Sequence, residues 1–297
     1  MKQHVKIRSS TDEWVLTKPF YSLGRSLTAD LNIHRYEASR IHTFFFRDPE
    51  RGYCICDAGS RNGTYLNGKL AHCPTPLEDG DIVDVVSEPI HVSVQEFEAT
   101  EPEDAWGAES VILLTAMYSD AHTDWGMESP KRSRCQGGWF YRTIKLIRSH
   151  GGIPVKAGES SVTAIWDSVS MNQQDAFQKV LECSRQINQF AKSRDEALRK
   201  EWMVGTDVPL FNTHAAMHYT PLKRWVDPID KDYMRAEWHE LELMDELARK
   251  AEDLKSALLC TERFQAGPDD RSATSQMSMV ELGPRKLPMI VYPLRED

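Results

Sequence analysis

The sequence predicts two domains of different class: an all-β sandwich over residues 1–98 and, after an acidic linker at 99–109, an α+β domain over 110–297. Three observations carry this. Up to "HVSVQEF" the chain is a series of short apolar runs, "EWVL", "HTFFFRD", "GYCICD" and "DIVDVV", punctuated by Gly, Pro, Asp and Asn, the rhythm of antiparallel strands joined by tight turns. The segment "EATEPEDAWGAES" is acidic, contains a proline and shows no periodicity. Beyond it, strand-like runs alternate with stretches whose apolar residues recur at helical spacing.

The 297 residues, 40% hydrophobic and 27% charged, suffice for two ordinary cores. A net charge of −9 argues against generic binding to nucleic acid or to an anionic membrane, both of which need a basic surface. No apolar run reaches the roughly 20 residues of a membrane helix. The start "MKQHVKIRSSTDEW" lacks the apolar stretch of a secretion signal, so a cytoplasmic protein is expected. Cysteines at 54, 56, 73, 135, 183 and 260 show no CxxC spacing, which indicates neither a zinc ribbon nor a disulfide framework. Cys54 and Cys56 alternate on one strand and read as small buried or half-buried residues. No metal site and no cofactor are read from the sequence.

In the second half, "SVILLTAMYS" reads as a buried strand, "WFYRTIKLIRSHGG" as a helix ended by glycine, and "VTAIWDS" as a strand. "QQDAFQKVLECSRQINQFAKSRDEALRKEW" is a long amphipathic helix. "PLFNTHAAMHY" is then a strand, "WHELELMDELARKAEDLKSA" a helix, "ALLCTERF" a strand, "QAGPDDRSATSQ" a polar loop and "PMIVYPL" a last strand. The strands lack the long hydrophobic runs of a doubly wound sheet, which leaves α+β as the class.

The stretch "DAGSRNGTYLNG", Asp57 to Gly68, holds two Asn-Gly pairs around a short Thr-Tyr-Leu run. It reads as loop, strand and turn, with polar side chains on a loop that a sheet holds rigid. With "LGRS" (Leu23–Ser26), "SRIH" (Ser39–His42) and "LEDGD" (Leu77–Asp81), in that order, the N-terminal third resembles the forkhead-associated (FHA) domain, a phosphothreonine-binding β-sandwich. The resemblance implies that Arg25, beside Gly24, binds the phosphate, since a planar guanidinium meets two phosphate oxygens at once. It gives Ser39 a hydroxyl contact to the phosphate and Asn62 a hydrogen bond to the peptide backbone. Arg40 and Arg61 are their neighbours and add charge or peptide contacts. His42 has a loop-stabilising role by the same resemblance, and Gly63, Asn67 and Gly68 shape the turns.

The segment "RTIKLIRSHGGIPVKAGESSVTAIWDSVSMNQQDAFQKVLECSRQI" and the terminal "LPMIVYPL" resemble the class III nucleotide cyclase homology domain. That resemblance implies a ferredoxin-like α+β core that dimerises, but not catalysis. Cyclases hold two metal ions with two aspartates. Here Met117 falls at the first aspartate, and a thioether is a poor ligand for a hard cation. Ser160 falls at the second and Glu159 at the preceding glycine, with Asp120 the other nearby carboxylate. Glu242 and Glu246, or Leu241 and Asp245 after a one-residue shift, stand where the family carries its ribose-orienting asparagine and transition-state arginine, and an acid there repels the triphosphate. Lys156 alone matches, at the base-recognising lysine of adenylate cyclases, although an isolated strand lysine reads as a solvated side chain.

His214 and His218 share a strand face without a neighbouring carboxylate motif and read as packing residues, not zinc ligands. Trp139, Phe140 and Tyr141 read as core or dimer surface. There is no P-loop, nucleophile elbow or kinase signature. The expected protein is therefore a bacterial-type signalling adaptor and pseudoenzyme. Its FHA domain would dock on a protein phosphorylated by a Ser/Thr kinase, while an inactive cyclase-like domain forms a homodimer or heterodimer or binds a second partner. The alternatives are a divergent adenylate or guanylate cyclase regulated through its FHA domain, and an inactive domain that binds nucleotide through Lys156.

Overall fold

The computed structural model describes residues 2–18, 20–48, 51–71, 74–97, 109–119, 130–158, 160–167, 173–202, 212–224, 234–235, 238–265, 277–282 and 287–294. Most of the linker at 99–109, the loop at 266–276, Asp120, Glu159 and Cys73 lie outside the described residues.

The N-terminal strands are β1 (Lys2–Arg8), β2 (Glu13–Leu16), β3 (Phe20–Gly24), β4 (Leu31–Asn32), β5 (Thr43–Asp48), β6 (Gly52–Asp57), β7 (Thr64–Leu66), β8 (Lys69–Leu70), β9 (Thr75–Pro76), β10 (Ile82–Val85) and β11 (Glu88–Phe97). They form two sheets, in the orders β2-β1-β11-β10-β7-β8 and β4-β3-β5-β6-β9. Every pairing is antiparallel except β3 with β4. The expected sandwich is what forms. Its inner core contains Val5, Ile7, Leu23, Phe45, Tyr53, Ile55, Val83 and Ile90, the inward members of the alternating runs.

Strands β5 and β6 break that alternation. In "TFFFRD" and "GYCICD" the intervening Phe44, Phe46, Cys54 and Cys56 point away from the sandwich core and are nonetheless buried, because they join a second cluster with the C-terminal domain. A strand apolar on both faces is one covered on both faces. Of the buried and half-buried alternatives, both cysteines take the buried one, and desolvation pushes the Cys54 thiol up to about 12.

The C-terminal elements are β12 (Glu109–Ser119), α1 (Pro130–Ser149), β13 (Ile153–Ala157), β14 (Ser161–Asp167), α2 (Gln173–Trp202), β15 (Asn212–Arg224), β16 (Met234–Arg235), α3 (Trp238–Asp253), β17 (Leu258–Thr261), α4 (Glu262–Gln265), β18 (Ser278–Leu282) and β19 (Leu287–Pro293). One sheet runs β13-β14-β12-β15-β17-β19-β18, with β16 paired to β15. Alternation along β12 divides its side chains. Ile112, Leu114 and Ala116 pack with residues of α1 and α2, while Leu113 and Met117 pack with Leu241, Met244, Leu247 and Ala248 of α3. No helix among the described residues is long and apolar enough to cross a membrane.

Several boundaries differ from the sequence reading. The final strand β19 and helix α2 match it. The strand at "PLFNTHAAMHY" continues to Arg224, and "ALLCTERF" is β17 followed by the single turn α4. The helix at "WHELELMDELARK" stops at Asp253, where Lys255 takes a positive φ of 52°. Helix α1 begins at Pro130, well before the expected Trp139, and runs through Gly137 and Gly138. Its C-terminus is as expected: Gly151 (φ 81°) donates to Arg148 O at 3.1 Å and Gly152 to Ile147 O at 2.9 Å, the paired bonds of a Schellman stop.

The internal glycines of α1 have a packing reason. A Cβ on Gly137 would lie 2.5 Å from Gly59 N, and one on Gly59 would lie 2.8 Å from Gly138 N, so helix and sandwich loop touch backbone to backbone. Further along the same helix stripe, Tyr141 stacks on Phe44 with ring centroids 6.3 Å apart. One turn-pair later Arg148 spans Asp30 with two hydrogen bonds of 3.0 and 2.9 Å and lies 5.3 Å from the Phe20 ring centre. The two domains thus share an apolar interface along β3, β5, β6 and α1.

Candidate functional sites

The residues expected to read a phosphate sit on three loops at one end of the sandwich. Arg25 follows β3, Ser39 and Arg40 precede β5, and Arg61 and Asn62 link β6 to β7. Arg25, Arg40 and Arg61 are all exposed. The first two loops are laced by backbone bonds: Arg25 N to Ser39 O and Ser26 N to Arg40 O, both 3.1 Å. Gly24 permits this approach, since a Cβ there would stand 2.2 Å from Arg40 O.

The third loop is tied to the second. Arg61 N donates to Ser39 Oγ at 3.1 Å, so the serine hydroxyl accepts there and keeps its own proton to give. Asn62 Nδ2 donates to Glu37 O at 3.1 Å. His42, fully buried, spans both loops: Ser39 N donates to its Nδ1 at 3.0 Å, and its Nε2 lies 3.0 Å from Gly63 O. Nδ1 accepts, so the ring is neutral with its proton on Nε2. Burial holds its pKa below the ordinary value, against the opposing pull of the Gly63 carbonyl and Asp57.

Asp57 and Ser60 were not singled out by the sequence reading, yet they build the loop. Buried Asp57 accepts from Ser60 N (2.9 Å), Ser60 Oγ (2.6 Å) and Thr64 Oγ1 (2.9 Å), and Gly63 N donates to Ser60 Oγ at 2.9 Å. The signal available was the Asp-x-x-Ser spacing, in which an aspartate side chain caps the turn that follows it. The two Asn-Gly pairs do different work. Asn67 and Gly68 have φ of 49° and 79° and form the two-residue hairpin between β7 and β8, whereas at Asn62-Gly63 only the glycine is left-handed (φ 78°). Asn67 also fastens the neighbouring turn, donating to Asp81 Oδ1 at 2.7 Å and accepting from Ile82 N at 2.9 Å.

The cyclase-like positions gather where α3 crosses the sheet. Met117 lies beneath α3, opposite Ser161 on β14. The pairing of β13 with β14 shifts between Pro154 and Lys156, and this bulge turns Lys156 toward α3, beside Thr163. Lys156 is consequently not the solvated lysine of the sequence reading. It is buried, its Nζ is 2.5 Å from Asp245 Oδ2, and Ser161 Oγ donates to Asp245 Oδ1 at 3.1 Å. Ser160 accepts from Tyr118 N at 2.7 Å through its carbonyl. Glu242 on α3 is exposed and Glu246 half-buried.

His214 and His218 are buried on β15, with Nδ1 atoms 3.0 Å from Ser256 O and 2.8 Å from Thr261 Oγ1 respectively. They hold the sheet to β17 and its approach. Among the described residues no group of three His, Cys, Asp or Glu side chains is placed to hold a metal.

Residues 21–86 match the family model of the FHA domain. No curated protein matches the chain. Among solved structures the chain is similar to the FHA-1 domain of Rv1747 from Mycobacterium tuberculosis, at 24% identity over 32% of this chain and 100% of that one, with a TM-score of 0.29. It is similar to the FhaA FHA domain, solved with the intracellular domain of Rv3910, at 23% identity over 30% and 98% of the two chains, with a TM-score of 0.26. It is also similar to the guanylyl cyclase Cya2, at 12% identity over 62% of this chain and 91% of that one, with a TM-score of 0.46.

Proposed function

We propose, on the premise that residues 21–86 are an FHA domain, that this protein is a signalling adaptor that docks on a threonine-phosphorylated partner. One observation carries the reading: three exposed arginines and the free hydroxyl proton of Ser39 stand on loops that Gly24, His42 and Asp57 lock together before any ligand arrives. Such preorganisation spares the ordering cost of binding. In this reading Arg25 and Ser39 take the phosphate, Arg40 and Arg61 add charge, and Asn62 holds the peptide backbone. The kinase upstream is a Ser/Thr kinase, and the setting is the bacterial cytoplasm.

The test is binding of the full chain to phosphothreonine peptide libraries, with unphosphorylated peptides and Arg25→Ala as controls. A charge-assisted hydrogen bond contributes about 1.5–3 kcal/mol, so Arg25→Ala is expected to weaken binding by about tenfold to a hundredfold. Equal binding to phosphorylated and unphosphorylated peptides would remove the reading.

We further propose that residues 110–297 form a ferredoxin-like, cyclase-derived domain without catalysis, which serves as a dimerising or docking platform. The order β13-β14-β12-β15, with α1 and α2 on one face, supports the fold. The inactivity is supported by Met117 at a metal position and by the Lys156–Asp245–Ser161 cluster, which engages the lysine internally. Nucleotide binding through Lys156 would first have to break its buried ion pair with Asp245. Cyclic nucleotide formed from ATP or GTP with magnesium or manganese would reverse this reading in favour of a divergent cyclase.

A further inference from the structure

A groove of about 940 Å³ opens beside Asn62, at the end of the sandwich that bears the arginine loops. Its lining includes Arg35, Glu37, Tyr65 and Asp84, with Val86 and Ser87 of the β10–β11 turn. The charges in it do not balance. Arg35 is engaged by Glu88, its Nε donating at 2.9 Å and a second guanidinium nitrogen closing on the same oxygen. Glu88 is buried, accepts from the Ser10 backbone N–H at 2.9 Å and from the Ser10 hydroxyl, and is held ionised by Ser10 first and Arg35 second, its carboxyl falling to about 2. That pair is neutral as a unit at physiological pH.

The carboxylates of Glu37 and Asp84 remain. The Glu37 carboxylate faces the exposed Tyr36 phenol, whose pKa it raises by hydrogen bonding, and lies in the field of Arg35. Tyr65, paired with Asp84 on the neighbouring strand, leaves 38% of its surface open and brings an aromatic ring, a partner for cations, to the lining. Glu37 also joins groove and phosphate loops physically, because its carbonyl holds the Asn62 side chain.

Positive charge for the phosphate and negative charge in the adjoining groove are thus presented to one ligand. We infer that the groove takes the side chain of a lysine or arginine flanking the phosphothreonine, so that the partner is a threonine phosphorylated within a basic segment. The inference rests on the phosphothreonine reading above. The chain's net charge of −9 acts in the same direction at long range by favouring encounter with a basic partner.

The experiment uses the full chain and a phosphothreonine peptide library randomised on both sides of the phosphorylated residue, read at low and physiological salt. The expected result is selection of Lys or Arg at one flanking position, about tenfold over Glu there, diminishing with salt. Glu37→Lys with Asp84→Lys is expected to reverse the selection toward acidic residues while phosphate remains required. Glu37→Gln with Asp84→Asn, which changes size little, is expected to abolish the selection without reversing it. Phosphate-dependent binding with no basic preference, or with a preference that both double variants leave intact, overturns the groove assignment alone. Absence of phosphate-dependent binding in the unmodified protein overturns the phosphothreonine reading and the groove assignment together.

Discussion

His42 is the residue on which the geometry of the arginine loops turns, and its chemistry makes that geometry sensitive to acid. Its two hydrogen bonds require the neutral ring, and burial depresses its pKa in the folded state below the unfolded value near 6.5. Between those two values the unfolded chain binds the proton and the folded chain does not, so stability rises with pH across that window. The contribution is complete above about 6.5 and is lost as the pH falls through the depressed value. Thermal melts at a series of pH values should therefore show the advantage of the unmodified protein over His42→Gln shrinking below pH ~6.5. A gap that stays constant would mean that the imidazole does not titrate as its surroundings require. The sequence made the position of His42 and its bracing character legible through the "SRIH" motif. It did not reveal Asp57 and Ser60, because a capping aspartate at a strand end looks like any turn residue until the donors around it are counted.

At the scale of elements, the described residues contain two hairpins with two-residue turns, and one of them uses the residues that such a turn favours. Asn67-Gly68 adopts left-handed φ values with residues that tolerate them, while Val86-Ser87 adopts 50° and 61° with a β-branched residue in first place. Backbone strain of this kind costs of order 1–3 kcal/mol. Replacing Val86 by Asn together with Ser87 by Gly should therefore raise stability by about 1 kcal/mol or more in denaturant titrations, with m unchanged. A fall in stability would show that the partly buried Val86 side chain contributes more through packing than its backbone loses. The sequence could not announce this turn, since Val-Ser carries no turn signal. The start of helix α1 is illegible in the sequence for the complementary reason. A Gly-Gly pair costs about 2 kcal/mol in a helix interior and reads as a break, but its partner Gly59 is remote in sequence, so the compensation is visible only in three dimensions. Lys156 is similar, for a bulge at Pro154 decides which face it takes and no periodicity encodes a bulge.

The largest feature that the sequence left open is how the domains meet. An acidic linker is compatible with contact or separation, and the one trace of contact in the sequence is that "TFFF" and "YCIC" carry apolar residues on both strand faces. In the whole molecule, Phe20, Phe44, Phe46, Cys54, Cys56 and Ala58 belong to the same cluster as Trp139, Phe140 and Ile144. Full burial of one phenylalanine contributes about 1.5–3 kcal/mol, so this seam is a sizeable part of a total stability that is ordinarily 5–15 kcal/mol. Residues 1–98 produced alone should accordingly bind a hydrophobic dye and self-associate at micromolar concentration, while the full chain does neither and unfolds in one calorimetric transition. Two separate transitions in the full chain would mean that the seam is weaker than its burial implies.

A small sandwich domain at one end of a chain invites use as a cassette, cut at a convenient loop and grafted elsewhere. The backbone contact of Gly59 with Gly137 sets a limit on that practice here. The β6–β7 loop and the helix beneath it have been fitted to one another at a point where neither can carry even a methyl group, so the two halves form a lock cut from one blank. Any graft that transfers the sandwich without residues of α1 leaves its β6–β7 loop standing on a surface of different relief, and any change to the helix at that point is felt first by the loop that carries Arg61 and Asn62.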